Sequence, residues 1–308
     1  MEKKYIGIEI GGTKLQLVLG DENGNIQQSI RFKINSKEGA KGIQSTIEQC
    51  LNDWKLILPD VAAIAVGFGG PVNWMDGTIQ LSHQVDGWDQ FDLKSWLEQL
   101  TAKPVIIEND ANVAALGEAI HGAGRARNRV FYMTIGSGIG GGYIINQQIY
   151  HGQLPGEVEI GHIRLNKAGE TLESACSGWA INGQVRKFML ENPTSLLGQL
   201  GSQETVAESI LLGQALELND PDAEKIMLDI ADNIAFALSH VVHLLHPEII
   251  IIGGGVSLLG DLLLLPIQER LPHYVMDAFK PIPQVTISAL GEEVVPIGTL
   301  ELAKNSIL

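Results

Sequence analysis

Short apolar runs bounded by glycine or by charged residues recur along the chain and are typical of buried β-strands. Segments with apolar residues at helical spacing separate these runs. In the first half, strands are predicted at Tyr5–Ile10, Leu15–Gly20, Ile26–Ile34, Val61–Val66 and Lys103–Ile107, and helices at Lys37–Leu58, Phe91–Leu100 and Ala111–Ile120. Strands that alternate with helices predict an α/β fold.

The second half of the chain repeats the order of the first. In both halves a strand, a glycine loop, a strand, a polar turn and a strand follow one another, about 125 residues apart. In the second copy, strands are predicted at Val130–Ile135, Gly142–Ile145, Ile149–His151, Glu248–Ile252 and Gln284–Ser288, and helices at Ser174–Leu190, Glu204–Leu216, Pro221–Leu245, Asp261–Leu271 and Pro296–Lys304. Two duplicated α/β halves are therefore predicted.

The stretch from Ile106 to Gly122 contains the first candidate for a chemical group. A strand ends at Ile107, three polar residues from Glu108 to Asp110 follow, and an alanine-rich helix then begins. In open α/β sheets, ligands usually lie at the carboxyl ends of the strands. Two interpretations of Asp110 are open at this point. It is either a catalytic carboxylate or, with Asn109, a helix N-cap, which is the commoner role of these residue types.

Three glycine clusters directly follow predicted strands. They are Gly11-Gly12, Gly136 to Gly142 and Gly253-Gly254-Gly255. Glycine lets backbone N–H groups approach a phosphate closely, and Thr13 and Lys14 add a hydroxyl and a positive charge to the first cluster. One cluster alone would most often be a tight turn, but three clusters at strand ends in duplicated halves indicate nucleotide binding.

Two common nucleotide-binding motifs are excluded. Gly136 to Gly141 fits the pattern G-x-G-x-x-G, but a dinucleotide site requires a helix next, and the following Tyr143-Ile144-Ile145 is β-forming. The P-loop pattern G-x-x-x-x-G-K-[ST] does not occur in the sequence. Both a nicotinamide-dependent enzyme and a P-loop protein are therefore rejected.

Composition and charge limit the partners. The chain of 308 residues has 21 Lys and Arg against 36 Asp and Glu, a formal net charge of −15. This charge argues against nucleic acid or an anionic membrane as the main partner. Cys50 and Cys176 show no metal-type spacing, the N-terminus shows no secretory leader, and apolar runs such as Leu262–Ile267 are too short to cross a bilayer. A cytoplasmic protein is expected.

A series of motifs occurs in a fixed order along nearly the whole chain. They are Ile8 to Lys14 (IEIGGTK), Gly67 to Val72 (GFGGPV), Glu108 to Asn112 (ENDAN), Ile135 to Gly142 (IGSGIGGG), Glu159 to His162 (EIGH), Leu172-Glu173 with Ser177-Gly178, and Gly253 to Val256 (GGGV). Each motif alone is modest. Together and in this order they resemble the ROK family of sugar kinases, in the actin/hexokinase-like superfamily.

The resemblance implies a two-domain α/β fold of the actin-like, ribonuclease H-like (ASKHA) type, with duplicated βββαβα halves and an interdomain cleft. The smaller domain is expected to comprise residues 1–114 and 293–308, and the larger one residues 115–292. The implied activity is that of a glucokinase-like enzyme. Such an enzyme phosphorylates a hexose or an N-acetylhexosamine with ATP and Mg²⁺, normally on the C6 hydroxyl. Members of the family are often dimers, so the resemblance also raises a homodimer as an alternative to a monomer.

The resemblance also assigns roles to residues, with Asp110 as the general base that takes a proton from the sugar hydroxyl. The residues implied to hold the sugar are Gly70, Asn109, Glu159, His162 and Glu173. Those implied to bind the ATP phosphates are Gly11, Gly12, Thr13, Lys14, Thr134, Gly136, Ser137 and Gly138, and those implied to line the adenosine are Gly253, Gly254 and Gly255. These residue types suit phosphoryl transfer, which depends on positioning and charge stabilisation.

The sequence departs from the family pattern in three places. The family usually carries a zinc loop of the form CxCGxxGC after the EIGH motif. Here its cysteines are absent, so a structural zinc is not expected and His162 is interpreted as a sugar contact. Glu9 replaces the commoner Asp, and the stretch from Leu81 to Trp88 lacks the usual Asn. The identity of the sugar is therefore open, as is polyphosphate instead of ATP as the donor, with ATP as the default.

Two other functions are weighed against a kinase. ROK-type transcriptional regulators carry a DNA-binding domain ahead of the first strand, whereas the first strand here is predicted to begin at Tyr5. A non-catalytic sugar-binding protein would have no need of the Asp110 carboxylate. The aromatic residues Phe68, Trp88 and Trp179 are candidates for the pocket border, although burial in the core is the more common fate of such residues. A sugar kinase is the function that the sequence favours.

Overall fold

The computed structural model describes residues 3–82, 85–154, 156–202 and 207–307. Two predictions fall partly outside these residues: the Leu81–Trp88 stretch, at His83 and Gln84, and the start of the helix predicted from Glu204. The chain forms two compact units. The first comprises Met1–Asn128, Gly142–Glu157 and Ala289–Leu308, and the second comprises Arg129–Gly141 and Val158–Ser288.

The first part of the chain contains the strands and helices that the alternating pattern predicts, together with a small extra sheet. The strands are β1 (Lys4–Ile10), β2 (Lys14–Asp21), β3 (Ile26–Lys33), β4 (Val61–Phe68), β5 (Val72–Asn73), β6 (Thr78–Ile79), β7 (Phe91–Asp92) and β8 (Val105–Asn109). The helices are α1 (Gly39–Asp53), α2 (Leu93–Thr101) and α3 (Asp110–Ile120). The extra sheet, β5-β6-β7, has no predicted counterpart because such short strands carry no periodic signal.

The rest of the chain is richer in helices. Its strands are β9 (Arg129–Ile135), β10 (Ile139–Ile145), β11 (Gln148–Ile149), β12 (Ile249–Gly253) and β13 (Gln284–Ile287). Its helices are α4 (Leu172–Cys176), α5 (Gly178–Glu191), α6 (Leu196–Gly201), α7 (Glu208–Glu217), α8 (Pro221–Leu245), α9 (Asp261–Tyr274) and α10 (Val294–Asn305). Helix α6 has no predicted counterpart.

The two main sheets have the same strand order, which confirms the predicted duplication. The first sheet runs β3-β2-β1-β4-β8, and the second runs β11-β10-β9-β12-β13. In the first sheet β2 pairs with β1 antiparallel, whereas β4 pairs with both β1 and β8 parallel. In the second sheet β12 likewise pairs parallel with β9 and with β13. Parallel central strands align their carboxyl ends at one edge of each sheet.

Strand β1 lies at the centre of the first unit because both of its faces are covered. Alternate residues point to opposite faces of a strand. Ile6, Ile8 and Ile10 pack in one cluster with apolar residues of α1 and α2. Tyr5 packs on the other face with Leu300 of α10. A sheet covered on both faces explains why the strand sequences are almost continuously apolar.

Helix α3 packs against α10 at a crossing of glycines. A Cβ added to Gly298 would lie 2.0 Å from the Val113 carbonyl oxygen, and one added to Gly117 would lie 2.7 Å from the Val294 carbonyl oxygen. The two helix backbones therefore approach more closely than larger side chains would allow. This packing places the whole of α3 in the first unit, whereas the predicted domain boundary at residue 114 lies inside the helix.

Two elements of the second unit differ from the predicted ones. The single helix predicted at Ser174–Leu190 is divided into α4 and α5, because Ser177 adopts an extended backbone and its hydroxyl accepts a hydrogen bond from Ala180 N at 3.2 Å as the N-cap of α5. The glycine loop predicted at Gly136–Gly141 is shorter, since β10 already begins at Ile139.

Helix α8 is long and apolar enough by length and composition to cross a membrane. Half of its most apolar window is nevertheless buried inside the protein, including Ile230, Ile234 and Leu238. A helix that packs one apolar face into a core passes the same composition test, so α8 is a core helix of the second unit.

Candidate active site

The strand register brings three segments of the first unit to one edge of the sheet. Ile10 of β1 lies beside Phe68 of β4, which in turn lies beside Asn109 of β8. The residues that follow these three, Gly11, Gly69 and Asp110, therefore leave the sheet at the same edge. The first glycine cluster and the Asp110 junction are distant in sequence, and the register explains why they meet.

The β8–α3 junction separates the two interpretations of Asn109 and Asp110. Asn109 is the N-cap of α3, since its Oδ1 accepts hydrogen bonds from Ala111 N at 2.9 Å and from Asn112 N at 3.3 Å. Asp110 is the first residue within the helix. Because Asn109 supplies the cap, the Asp110 carboxylate is not required for capping and can serve a ligand.

The Asp110 carboxylate lies beside Gly69, which has no side chain, and close to Gly11. Its Oδ2 atom is 3.2 Å from the point that a Cβ of Gly69 would occupy, and Gly11 Cα is 3.4 Å from the same point. Burial raises the pKa of Asp110 to about 7, and the charge of Glu9 adds to this effect. A carboxyl group with a pKa close to neutrality is well matched to general-base chemistry at physiological pH.

Glu9 and Lys14 form an ion pair across the first glycine turn. Lys14 Nζ lies 2.7 Å from Glu9 Oε2, and the Glu9 residue is only 8% exposed. Burial raises the pKa of Glu9, against the opposing influence of Lys14. The turn through Gly12 and Thr13 is closed by a 2.9 Å hydrogen bond from Gly11 N to Lys14 O. The predicted phosphate contacts Gly11 to Lys14 therefore lie in one turn that a hydrogen bond closes.

Gly70 and Asn109, both predicted to hold sugar, contact each other. Asn109 Nδ2 donates a hydrogen bond to the Gly70 carbonyl oxygen at 3.1 Å. Because Oδ1 already caps α3, the amide of Asn109 is left with one further N–H donor for a ligand. The pair thus joins the loop after β4 to the β8–α3 junction.

The second glycine turn, in the second unit, carries Gly136, Ser137 and Gly138. Gly136 N donates to Gly138 O at 2.9 Å, and Gly178 N donates to Gly136 O at 2.8 Å, so the turn is fastened to the start of α5. The predicted phosphate contact Thr134 precedes the turn on β9, where it pairs with Gly253. The structure therefore brings the phosphate residues predicted in the second unit together.

Glu173, predicted to bind sugar, lies over this turn. Its Oε2 accepts a hydrogen bond from Ile139 N at 2.7 Å and lies 2.5 Å from the point that a Cβ of Gly138 would occupy. Glu159 precedes a 3-10 turn at Ile160–His162, which His162 ends, and both residues are exposed. A sugar-binding role for these three side chains stays a prediction.

A cavity of about 620 Å³ lies beside the second glycine turn, entirely within the second unit. Its lining comes from this turn, from α5 and α7, and from the segment after β12. The lining residues are Gly136, Ser137, Gly178, Trp179, Asn182, Ala207, Ser209, Ile210, Gly213, Gln214, Glu217, Gly255, Val256, Leu258, Leu259 and Leu262. The α5 and α7 residues, apart from Gly178 and Trp179, have no signal in the sequence because they belong to no motif.

In the third glycine cluster, Gly253 and Gly254 pack closely against β9, whereas Gly255 lines the cavity. A Cβ on Gly253 would lie 2.1 Å from the Tyr132 hydroxyl, and one on Gly254, whose φ is +83°, would lie 2.6 Å from the backbone of Ile135. Neither glycine lines the cavity, whereas Gly255 does. The cluster therefore lets β12 and the chain after it pack closely on β9, and its last member forms part of the cavity wall.

The three candidate aromatic residues have different environments. Phe68 and Trp88 are 2% and 0% exposed and belong to the core of the first unit. Trp179 is 63% exposed and lines the cavity of the second unit. Phe68 and Trp88 are therefore core residues, whereas a place of Trp179 at a ligand pocket stays a prediction.

A carboxylate–histidine cluster in the first unit, in which Glu108 is buried and His151 and Glu157 are half-buried, was not predicted. His151 Nε2 lies 3.4 Å from Glu108 Oε2, and His151 Nδ1 lies 3.3 Å from Glu157 Oε1. Among the residues that the structure describes, these three form the group in which metal-type ligand atoms lie within 4.8 Å of one another, and His162 is not part of it. Glu108 belongs to the ENDAN motif, but it lies more than forty residues from His151 and Glu157 in the chain, so no sequence spacing predicts the cluster.

Comparison with known proteins identifies the family of this chain. The profile of the ROK family matches residues 5–306. The glucokinase of Halalkalibacterium halodurans is 30% identical, over 99% of this chain and 96% of its own length. A crystal structure of a ROK family glucokinase from Streptomyces griseus, in complex with glucose and AMPPNP, is 31% identical with a TM-score of 0.83, and the match covers 98% of this chain and 99% of that one.

A second solved structure shows how widely the fold is shared. It is a ROK family transcriptional regulator, a homologue of the E. coli MLC protein, with a TM-score of 0.87 at 20% identity. The match covers 100% of this chain and 79% of that one, and at this identity it supports the fold alone. The predicted ASKHA-type fold is confirmed by these matches. The chain belongs to the ROK family.

Proposed function

We propose that this ROK-family sugar kinase transfers the γ-phosphoryl group of ATP to the C6 hydroxyl of a hexose or an N-acetylhexosamine, with Asp110 as the general base. The observation that carries the proposal is that the Asp110 carboxylate lies at the start of α3 without serving as its N-cap. It stands at the first turn of α3, where Asn109 already supplies the cap, and burial raises its pKa to about 7. Glucokinase relatives of similar length support the enzyme class.

The residues of the second unit fit a nucleotide. The cavity offers an exposed indole, Trp179, on which a base can stack, and apolar neighbours such as Val256 and Leu259. Gly136 and Ser137 line the same cavity, so a phosphate bound there would lie beside the backbone of the second glycine turn. ATP supplies the phosphoryl group, and the protein supplies the binding and orientation.

The residues of the first unit fit the phosphate groups, the Mg²⁺ ion and the sugar hydroxyl that reacts. Lys14 offers a cation for phosphate oxygens, and Glu9 offers the oxygen ligands that Mg²⁺ or its bound waters prefer. Asp110 accepts the proton of the attacking hydroxyl, and the remaining N–H of Asn109 donates to a neighbouring sugar oxygen. His162, Glu159 and Glu173 complete the set of proposed sugar ligands with imidazole and carboxylate groups, which suit a polyol.

Substitution of Asp110 by Asn tests the proposal. The amide has nearly the same shape but cannot accept the proton, so ADP release should fall by about 10²-fold or more while sugar binding, measured by calorimetry, survives. Glucose, fructose, mannose, allose, N-acetylglucosamine and N-acetylmannosamine form the substrate panel. The exposed Asp53 at the end of α1, changed to Asn, is the matched control. Near-normal turnover in Asp110→Asn would show that Asp110 is not the general base.

A further inference from the structure

The cluster of Glu108, His151 and Glu157 contacts the residues on either side of Asp110, the proposed base. We propose that His151 is a positioning residue of the phosphoryl transfer, which fixes the β8–α3 junction by bridging Glu108 and Glu157. This inference rests on the proposed kinase function. All the residues involved belong to the first unit.

Glu108 connects the cluster to the junction. Its Oε1 accepts hydrogen bonds from Asn109 N at 2.8 Å and from Asn112 Nδ2 at 3.1 Å. The Glu108 carboxylate thus contacts residues on both sides of Asp110 in the chain. Glu108 is 4% exposed, and a buried carboxylate needs a compensating cation to stay ionised. A shift of Glu108 would therefore move the backbone that presents Asp110.

His151 supplies that cation. Both of its ring nitrogens face carboxylate oxygens, and only the imidazolium form has an N–H donor at each nitrogen. Burial opposes the charge, but the hydrogen bond to Glu157 and the charge of Glu108 together raise the pKa of His151. Glu157 in turn accepts a hydrogen bond from Asn112 Nδ2 at 2.6 Å, which closes the network on the first turns of α3.

Trp74 fixes the plane of the His151 ring. The two rings are stacked, with their centroids 4.0 Å apart and an interplanar angle of 15°. An indole face attracts a cation, so the stack favours the imidazolium further. Trp74 lies in the hairpin between β5 and β6, after Gly70 and Pro71. His151 thus ties together the hairpin, the segment at Glu157 and the β8–α3 junction.

The hydrogen-bond pattern favours an ion network over a bound metal. Asn112 Nδ2 donates to Oε1 of both Glu108 and Glu157, so one oxygen of each carboxylate already accepts a hydrogen bond within the protein. The two nitrogens of His151 also face both carboxylates, whereas a metal ligand would turn one deprotonated nitrogen towards the ion. A measurement of metal binding by the wild type distinguishes the two possibilities.

Three variants test the positioning role. His151→Ala leaves Glu108 and Glu157 facing each other without a cation, so kcat should fall roughly tenfold to a hundredfold with a smaller change in the KM for ATP. The double variant His151→Ala/Glu157→Gln also removes one of the two negative charges. Because this relieves the repulsion between the carboxylates, the double variant should regain part of the lost kcat. His121→Gln is the matched control, since His121 contacts Glu301 at 3.1 Å at the other end of α3, and its kcat should stay unchanged.

Amide hydrogen exchange supplies a readout that does not need turnover. Peptides covering the β8–α3 junction should exchange faster in His151→Ala than in the wild type, and the double variant should restore part of the protection. Unchanged kcat and unchanged exchange in His151→Ala would overturn the proposal, as would stoichiometric zinc binding by the wild type that His151→Ala abolishes. If the wild type itself shows no sugar-dependent ADP release, the kinase function fails, while the exchange experiment still decides the role of His151.

Discussion

At the scale of single residues, Asp110 and Glu9 are the two carboxyl groups on which the proposed chemistry depends. Burial raises the pKa of Asp110 to about 7, with a further contribution from the charge of Glu9. Burial also raises the pKa of Glu9, while Lys14 acts in the opposite direction. A general base works only in its deprotonated form, so the ionisation of Asp110 sets the lower pH limit of activity.

We expect kcat/KM for the sugar to rise with pH through about 7 and to level off above this value. Below it, the raised pKa keeps Asp110 protonated, and the group cannot accept a proton. Glu9→Gln removes a negative charge near Asp110, so the inflection should move to lower pH. Initial rates between about pH 5 and 9 measure both effects. An inflection that stays in place in Glu9→Gln would contradict the assigned influence of Glu9.

Gly69 provides a second test at this scale. A Cβ at this position would lie 3.2 Å from Asp110 Oδ2 and 3.4 Å from Gly11 Cα, so either the carboxylate or the glycine turn would have to shift. We expect Gly69→Ala to lower kcat roughly tenfold, with a change in Tm below about 2 °C. Steady-state kinetics and thermal unfolding measure the two effects. Loss of folding together with activity would show that the contact is structural.

The division of roles between neighbouring residues is what the sequence could not predict. Asn and Asp are both common N-caps, and only the extended backbone of Asn109, with ψ at 139°, shows which of the two is the cap. Composition likewise gives no reason why Trp88 is buried and Trp179 exposed. His151 meets Glu108 through the tertiary fold, across more than forty residues of chain, so no spacing rule could have paired them.

At the scale of elements, the strands were predictable because buried strands in a sheet covered on both faces are continuously apolar. β1, β4 and β12 appear where the pattern places them. The break between α4 and α5 was not predictable, since Ser177 is tolerated inside a helix and becomes a cap only when its backbone is extended. The two-residue strands β5 and β6 escape prediction for lack of length.

The α3–α10 crossing makes a testable prediction about element packing. A Cβ on Gly298 would overlap the Val113 carbonyl oxygen at 2.0 Å, and backbone cannot give way as a flexible side chain can. We expect Gly298→Ala to lower the free energy of unfolding by roughly 2–3 kcal/mol. It should also lower kcat, because α3 carries Asp110 at its first turn.

Gly183→Ala is the matched control for this crossing. Gly183 lies inside α5, and a Cβ there would meet no atom within 4 Å. Alanine is the better helix former, so this substitution should raise the free energy of unfolding by roughly 0.5–1 kcal/mol. Urea unfolding of both variants gives the comparison. Equal effects in the two variants would show that the close crossing does not constrain α3.

At the scale of the whole molecule, the chain has two main sheets of the same strand order, and its two units carry different parts of the proposed chemistry. The first unit holds Asp110, Glu9 and Lys14 at one sheet edge. The second holds the cavity between α5, α7 and the segment after β12. The duplication was visible in the sequence as a repeated order of elements. The cavity was not, because most of its wall comes from helix residues outside any motif.

This division of labour predicts that changes in the cavity affect nucleotide binding and leave proton transfer intact. Trp179 is 63% exposed and lines the cavity, so a purine base can stack on its indole. We expect Trp179→Ala to raise the KM for ATP about tenfold, which corresponds to roughly 1.4 kcal/mol of lost binding. The KM for the sugar and the pH dependence of kcat/KM for the sugar should stay as in the wild type.

Intrinsic fluorescence gives an independent measure of the same contact. The exposed indole of Trp179 should be quenched when AMPPNP binds, whereas Trp88, fully buried in the first unit, should not respond directly. Leu190→Ala is the control, since Leu190 lies on α5 at 78% exposure and does not line the cavity. If Trp179→Ala retained both the quenching and the wild-type KM for ATP, the nucleotide would have to bind elsewhere. A parallel rise in the sugar KM would instead mean that Trp179 supports more than the nucleotide cavity.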